Sequence, residues 1–306
     1  MAKIINVIGN AYSGSTMLDL MLGNASDAFS CGEIHAWFRP WRPHHFEIDC
    51  PCGEIPCPVW KKLLSTPENQ IHAKIISEFG LKFVIDSSKH LCWVIDTQEW
   101  ATENGITTTN LLLWKNPINL AYSYWKRGHD LAYWRRVFVR YHSRVFEIGL
   151  PFLAVNYNDL VINPQMKLGE ICKAVGMAYF EGKERFWEKK HHHLFGSGGI
   201  RKQVETGNSI ITAKETFSNE FDTHIGILQE QIAADRKVQH ILEILRQFDV
   251  SSIDGENISI QSFLPKKPLP FWYYRKKMIR RLQRIFPENY DSSEYDHQET
   301  VPLEQK

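Results

Sequence analysis

The segment Lys3–Asn24, KIINVIGNAYSGSTMLDLMLGN, constrains this chain more than any other. Ile4, Ile5, Val7 and Ile8 make a continuous apolar run of the kind that fills a buried strand, and the apolar residues after Thr16 suit a helix. Between the two lies Gly9-Asn10-Ala11-Tyr12-Ser13-Gly14-Ser15-Thr16. Glycine and serine let successive backbone N–H groups converge on an anion, and the start of the following helix adds its partial positive charge. The loop has the make-up of a phosphate cradle.

Its Ser15-Thr16 end parallels the P-loop motif, but that motif places Gly-Lys before the hydroxyl residue, and here Ser15 follows Gly14 directly. The reading is a site for a phosphate or sulfate-like group without the lysine and magnesium machinery of an NTPase. A bare strand–turn–helix whose glycines serve only the turn is the alternative.

Further strands are predicted at Phe29–Glu33 (FSCGE), Leu81–Ile85, Ile106–Leu113 and Leu153–Asn156. Helices are predicted over Pro67–Phe79, stopped by Gly80, over Ile118–Arg127 and Asp130–Ile148, from Asn163-Pro164 to Gly176, and as one long helix over Asn219–Phe248. Residues 35–60, rich in Trp, Pro, His and Cys, show neither period, and 191–209 reads as a Gly- and Ser-rich basic loop able to fold over a ligand. Alternating strands and helices imply a parallel sheet with crossover helices. Ligands in such sheets bind beyond the carboxyl ends of the strands. Those ends carry Gly9–Thr16, Asp86–Lys89 and Lys115–Pro117.

With 306 residues the chain can bury a full core. The expected organisation is one α/β domain over 1–262, with 35–60 as an irregular insertion, then a basic-aromatic helix and polar tail over 263–306. Thirty-six Lys and Arg against 35 Asp and Glu give +1, so no global field argues for a nucleic-acid partner. No signal peptide or membrane span is read from the sequence, so a cytoplasmic protein with reduced cysteines is expected.

Lys115, Ser123 eight residues on, and Arg127 four beyond that form a second constellation. Ser123 and Arg127 share a helix face, and Lys115 sits in the preceding turn, so the three can surround one terminal phosphate. A solvated basic helix is the bland alternative.

In order and spacing, SGSTMLDLMLGN, FSCGE, CPCGEIPCPVW, VIDSSK, KNPINLAYSYWKRG and NYNDLVINPQMKLGEICKAVGM resemble the sulfotransferases that use 3′-phosphoadenosine 5′-phosphosulfate (PAPS). The resemblance is nearest to the bacterial branch related to tyrosylprotein sulfotransferases and spans roughly residues 4–205. It implies a P-loop-like three-layer α/β fold, with a central parallel sheet flanked by helices. It also implies PAPS as co-substrate, no required metal, and in-line transfer to a hydroxyl or amine. Tyr12, Ser13, Gly14, Ser15 and Thr16 would then cradle the 5′-phosphosulfate, and Lys115, Ser123 and Arg127 the 3′-phosphate. Glu33 matches the position of the catalytic base, Lys89 (with Ser88 beside it) falls near the transferring sulfonate, and Arg201 with Lys202 belongs to the late loop over the nucleotide. Two departures stand out. Lys115 stands where the family more often has arginine, which keeps the charge but loses the bidentate fork. Tyr12 stands where the family has Arg or Lys, and tyrosine brings no positive charge at pH 7. A nucleotide-binding protein without turnover, or a P-loop kinase or NTPase, are the competing readings.

Cys50, Cys52 and Cys57, with Cys31, His44 and His45 nearby, are candidate zinc ligands. Cys-x-Cys-x4-Cys is not a standard knuckle spacing and a fourth ligand is unassigned, so free thiols or a redox-dependent disulfide are the preferred reading. His191-His192-His193 reads as solvent- or ligand-facing, because neighbouring side chains diverge. Tyr122, Tyr124, Trp125, Tyr133, Trp134 and Phe138 read mainly as core, with Trp37, Phe38 and Trp41 as candidates for an apolar acceptor pocket. The run 271–286 carries six Lys or Arg among aromatic and aliphatic residues. Peripheral contact with an anionic membrane, docking on the domain, or a homodimer contact are all open for it. The acceptor is of unassigned class: glycan, lipid, small molecule or peptide.

Overall fold

The computed structural model describes residues 1–40, 42–48, 50–208, 217–252 and 268–285, with side chains to 279. Strands β1 (Lys3–Ile8), β2 (Ala28–Ser30), β3 (Phe83–Asp86), β4 (Thr107–Trp114) and β5 (Leu153–Asn156) form one sheet in the order β2-β3-β1-β4-β5. Every pairing is parallel. All the strands therefore end on one edge. The chain visits β2 and β3 on one side of β1 and β4 and β5 on the other, so the order reverses at β1, where a ligand crevice opens in such sheets.

The first helices are α1 (Ser15–Gly23), α2 (Ile34–Phe38), α3 (Pro58–Leu63), α4 (Ile71–Phe79) and α5 (Leu91–Glu103). Next come α6 (Pro117–Trp125), α7 (Tyr133–Glu147), α8 (Tyr157–Ile162), α9 (Pro164–Val175) and α10 (Gly198–Thr206). The last are α11 (Asn219–Asp222), α12 (Ile225–Ala234), α13 (Arg236–Gln247) and α14 (Phe271–Ile285). Strand residues alternate between two cores. Ile5, Val7, Leu111, Leu113, Leu153 and Val155 pack with α1 and α9 on one face. Ile8, Leu112, Trp114 and Ala154 pack with α5, α6, α7 and α13 on the other. A third cluster, around Trp60, Trp93, Val84 and Phe195, joins the 35–60 region to the β2–β3 side of the sheet. The three-layer α/β fold expected from the sequence is the one observed. Local signals work where they are strong: Asn116 and Asn163 cap α6 and α9 with Pro at the first helical position, and Gly80 and Gly176 end α4 and α9 in the left-handed conformation.

Three expectations need correction. The long helix over Asn219–Phe248 is three helices. Ser218 caps α11, and the Asp235 carboxylate accepts from the N–H groups of Lys237 and Val238 to start α13 afresh. Residues 35–60 are not wholly irregular, since α2 and the start of α3 lie there; segments this short do not establish a period. The loop at 191–209 contains α10, over Gly198–Thr206. Helix α5 had no counterpart in the sequence reading. It is buried on most of its circumference, from Leu91 to Ile95 and again at Thr97, Gln98 and Ala101, so its amphipathic period is blurred.

Helix α14 docks on α5 and α7. Tyr273 is buried and its hydroxyl donates to Asp96 Oδ1 (3.0 Å), while Trp272 Nε1 donates to Glu147 Oε2 (3.0 Å). Phe271, Tyr274 and Met278 stay exposed, and Phe286 and the tail beyond it lie outside the described residues. No described helix is long and apolar enough to cross a membrane.

His142, inside the α7 core, is fully buried with Nδ1 bonded to Phe138 O (2.7 Å), and burial pushes its pKa down to about 4. The folded state therefore holds His142 neutral while the unfolded chain takes up a proton below about pH 6.5. Its contribution is complete above that pH and is lost as pH falls toward 4, on the order of 3 kcal/mol across the window. Urea unfolding at pH 7, 6, 5 and 4 should show this slope, and His142→Phe should lose about one proton's worth of it. An unchanged slope in the variant would assign acid sensitivity to other groups.

Candidate functional site

The loop leaving β1 wraps closely against its neighbours. A Cβ on Gly9 would lie 2.4 Å from Leu113 O, and one on Gly14 would lie 2.2 Å from Cδ2 of Tyr157. Gly14 also takes φ +98, a conformation that favours glycine. Gly14 precedes α1, so the N–H groups of Ser15 and Thr16 sit in a first turn that has no intrahelical partners for them. From the far side, the strap His192–Ser197 closes on the loop. Ser197 N donates to Thr16 Oγ1 (2.9 Å), and a Cβ on Gly196 would lie 2.6 Å from the same oxygen.

Glu33 follows β2 and immediately precedes α2. Its N–H donates to Leu194 O (2.9 Å) while Leu194 N donates to Cys31 O (3.0 Å), so the strap bonds the backbone on both sides of Gly32 and fixes Glu33 at its amide. Lys89, beyond the end of β3, pairs through Nζ with Glu33 Oε1 and donates to Ser15 Oγ (3.2 Å). One ammonium thus joins the cradle to the carboxylate. Lys89 is itself held from behind: Tyr141 Oη donates to Lys89 O (2.8 Å) and accepts from Gly9 N (3.1 Å).

Asp86, the acidic residue at the same edge, is already committed. His72 Nε2 and Trp93 Nε1 bond its Oδ2 (2.8 and 2.7 Å), and Ser88 N donates to Oδ1 (2.8 Å). Burial pushes the Asp86 carboxyl up, but the bonds from His72, Ser88 and Trp93 outweigh it and hold the pKa below its ordinary value. Beneath Gly32 lies a second buried layer. Asp19 Oδ2 accepts from Gly32 N (3.1 Å), and His193 Nδ1 bonds Ser30 Oγ (2.7 Å). Burial pushes Asp19 up to about 8 and His193 well down, so both are mainly neutral at pH 7.

On the β4 side, Lys115 is buried with Nζ 3.4 Å from Ser123 Oγ and 4.3 Å from the centre of the Tyr157 ring. Arg127 bonds Ser123 O and lies with its guanidinium 3.9 Å from the centre of the Tyr12 ring. Tyr12 in turn meets Tyr124 edge to face at 5.0 Å. Tyr12 therefore places a cation–π platform under Arg127 rather than a charge in the cradle. Among the described non-glycine residues, those with positive φ are Tyr12 (66°), Lys89 (59°) and Phe195 (58°). Two belong to the candidate site and the third adjoins Gly196. Such strain, of order 1 kcal/mol or more per residue, gathers at ligand clamps and active sites.

The fold thus unites Ser15, Glu33 and Lys89 in one group and Tyr12, Lys115, Ser123 and Arg127 in another, on the same sheet edge. Arg201 is buried in α10, close enough to His193 to help push its imidazole pKa down, whereas Lys202 is exposed. Tyr122, Tyr124, Tyr133, Trp134 and Phe138 are buried core. Trp37 and Phe38 are partly buried against the third cluster, and Trp41 lies outside the described residues. Sequence reasoning missed Tyr141, Tyr157, Leu194 and Ser197, whose roles depend on contacts distant in the chain. Gly196, at φ +80 and with no room for a Cβ beside Thr16, is the one local sign that the strap comes close to something.

No family model matches this chain, and no curated protein matches it. Among solved structures it is similar to the sulfotransferase domain from the Synechococcus PCC 7002 olefin synthase, at 17% identity and TM-score 0.51, over 76% of this chain and 95% of that one. It is also similar to the sulfotransferase domain from the curacin biosynthetic pathway, at 15% identity and TM-score 0.52, over 80% of this chain and 98% of that one. The likeness is one of fold.

Proposed function

We propose that this protein transfers the sulfuryl group of PAPS to a hydroxyl or amine acceptor. The observation that carries this reading is Lys89, whose ammonium touches both Ser15 in the anion cradle and the Glu33 carboxylate. The fold shared with sulfotransferase domains agrees with it. The first-turn N–H groups of α1 and the hydroxyls of Ser15 and Thr16 would take the 5′-phosphosulfate. Lys115, Ser123 and Arg127 would take the 3′-phosphate, with Tyr12 positioning Arg127.

In the step itself, the acceptor oxygen or nitrogen forms a bond to sulfur as the bond from sulfur to the bridging phosphate oxygen breaks. The acceptor's proton passes to Glu33, and the electron pair of the broken bond stays on 3′,5′-bisphosphoadenosine. Lys89 supplies the cation that Tyr12 does not, opposite the charge developing on the leaving oxygen. A kinase or NTPase reading is disfavoured by positive features: Ser15 stands directly after Gly14, and the Asp86 carboxylate is engaged by His72, Trp93 and Ser88.

Thermal unfolding with added nucleotide tests the binding half. At a hundredfold excess over Kd, 3′,5′-bisphosphoadenosine should stabilise by about 2.7 kcal/mol, a rise of several degrees. ATP with magnesium should do far less. Lys115→Ala should remove most of the shift and Ser123→Ala part of it. A larger shift from ATP with magnesium would favour the NTPase reading.

A further inference from the structure

The segment Cys50–Cys57 and the strap meet at a cluster that the proposed reaction does not use. Cys50, Cys52, Cys57 and His192 each offer a ligand atom, and these atoms all lie within 4.8 Å of one another. His192 Nδ1 is 3.3 Å from Cys57 Sγ and 3.8 Å from Cys50 Sγ. Tetrahedral zinc, with Zn–S about 2.3 Å and Zn–N about 2.1 Å, requires S···N separations of roughly 3.6 Å, between those two values. We propose that Cys50, Cys52, Cys57 and His192 form a structural zinc site that staples the Cys50–Cys57 segment to the strap behind the candidate active site.

The spacing that argues against a knuckle in the sequence is accommodated by the backbone. Gly53 takes φ +77 directly after Cys52, turning the chain so that Cys57 returns to the first two thiols. A Cβ there would meet nothing within 4 Å, so the conformation rather than the space calls for glycine. Cys57 sits at the N-terminus of α3, and the fourth ligand arrives from a segment more than 130 residues away. Trp60 Nε1 donates to His192 O (2.7 Å), which holds the strap with His192 Nδ1 facing the thiols. Three thiolates and one imidazole around Zn²⁺ leave one net negative charge. Lys190 pairs with Glu54 at the rim. A disulfide would use two sulfurs and leave the third thiol and His192 converging on nothing. The S₃N donor set and closed coordination favour zinc in a structural rather than a catalytic role. Two residues past His192, Leu194 bonds Glu33 N and Cys31 O, and Ser197 bonds Thr16. A metal at this point would anchor the strap that backs both the carboxylate and the cradle.

Metal analysis of the full-length protein, purified under reducing conditions without chelator, should find about one zinc per chain. Cys57→Ser and His192→Ala should each lower it at least tenfold, and exposed His44→Ala should leave it unchanged. Should either variant fail to fold, the wild-type protein still decides. Cobalt exchanged into it should give tetrahedral d–d bands with thiolate-to-cobalt charge transfer, and zinc should protect Cys50, Cys52 and Cys57 from alkylation until a chelator is added. Folded protein without bound metal, a disulfide among the three cysteines, or alkylation indifferent to zinc would each overturn the proposal. None of these readouts depends on catalysis.

Discussion

Replacing Glu33 by glutamine should cut release of 3′,5′-bisphosphoadenosine from PAPS by about 10²- to 10⁴-fold while leaving binding of the product nucleotide intact. Glutamine has nearly the shape of glutamate and its carbonyl oxygen can still accept from Lys89, so the Lys89–Ser15 contact should survive. Only the ability to take a proton is lost. The assay needs no knowledge of the natural acceptor, because water can stand in for it as a slow nucleophile and, on the proposed mechanism, would pass its proton to the same carboxylate. Lys89→Met should differ, weakening the nucleotide-induced thermal shift as well as turnover, since the ammonium touches both the cradle and the carboxylate. Undiminished turnover in Glu33→Gln would remove Glu33 from the role of base. Tight binding with no turnover in the wild type on any acceptor would favour the non-catalytic reading.

Gly32→Ala should be the most damaging single substitution for stability near the site. A Cβ at Gly32 would stand 2.0 Å from Leu194 O and 2.7 Å from Leu194 N, and the residue holds φ +74. Both obstacles are backbone, so relief requires breaking the bonds by which Leu194 holds Glu33 and Cys31. A loss above about 3 kcal/mol is expected, combining the strain of positive φ with a displaced strap. Gly105→Ala provides the comparison: φ is +70 there but the space is open, so only the conformational cost of about 1–2 kcal/mol applies. Chemical unfolding of both variants measures the difference. Equal losses would mean that the strap yields easily and that Glu33 is not rigidly placed by it.

Much of the architecture follows from short-range chemistry. Lys3–Ile8 is a strand because its apolar run must be buried on both faces, and Asn163-Pro164 starts a helix because one residue caps and the next cannot donate. Gly80 and Gly176 end helices because they accept positive φ. Interactions of this kind lie within a few residues, so the linear order exposes them. The breaks at 219–248 were missed because Asp235 competes locally with a helical pattern that otherwise continues, and α5 was missed because burial on most sides erases its period.

The candidate site divides the same way. The cradle Gly9–Thr16 is legible because strand, loop and helix are contiguous, and Ser123 and Arg127 because they lie only four residues apart across the end of α6. Nothing within a few residues of Lys89 indicates that its ammonium meets Glu33, 56 positions earlier, or that Tyr141 holds its carbonyl from 52 positions later. Nor does His192 announce that it lies 3.3 Å from Cys57. Glu33 and Lys89 meet because a parallel sheet brings its strand ends to one edge, whatever their distance along the chain, and packing of α7 and of the strap brings in Tyr141 and His192. Local propensity specified the strands, turns and caps of this protein; packing of the sheet and strap decided which side chains meet, because that choice is made by chain closure over a hundred residues and leaves no periodic trace.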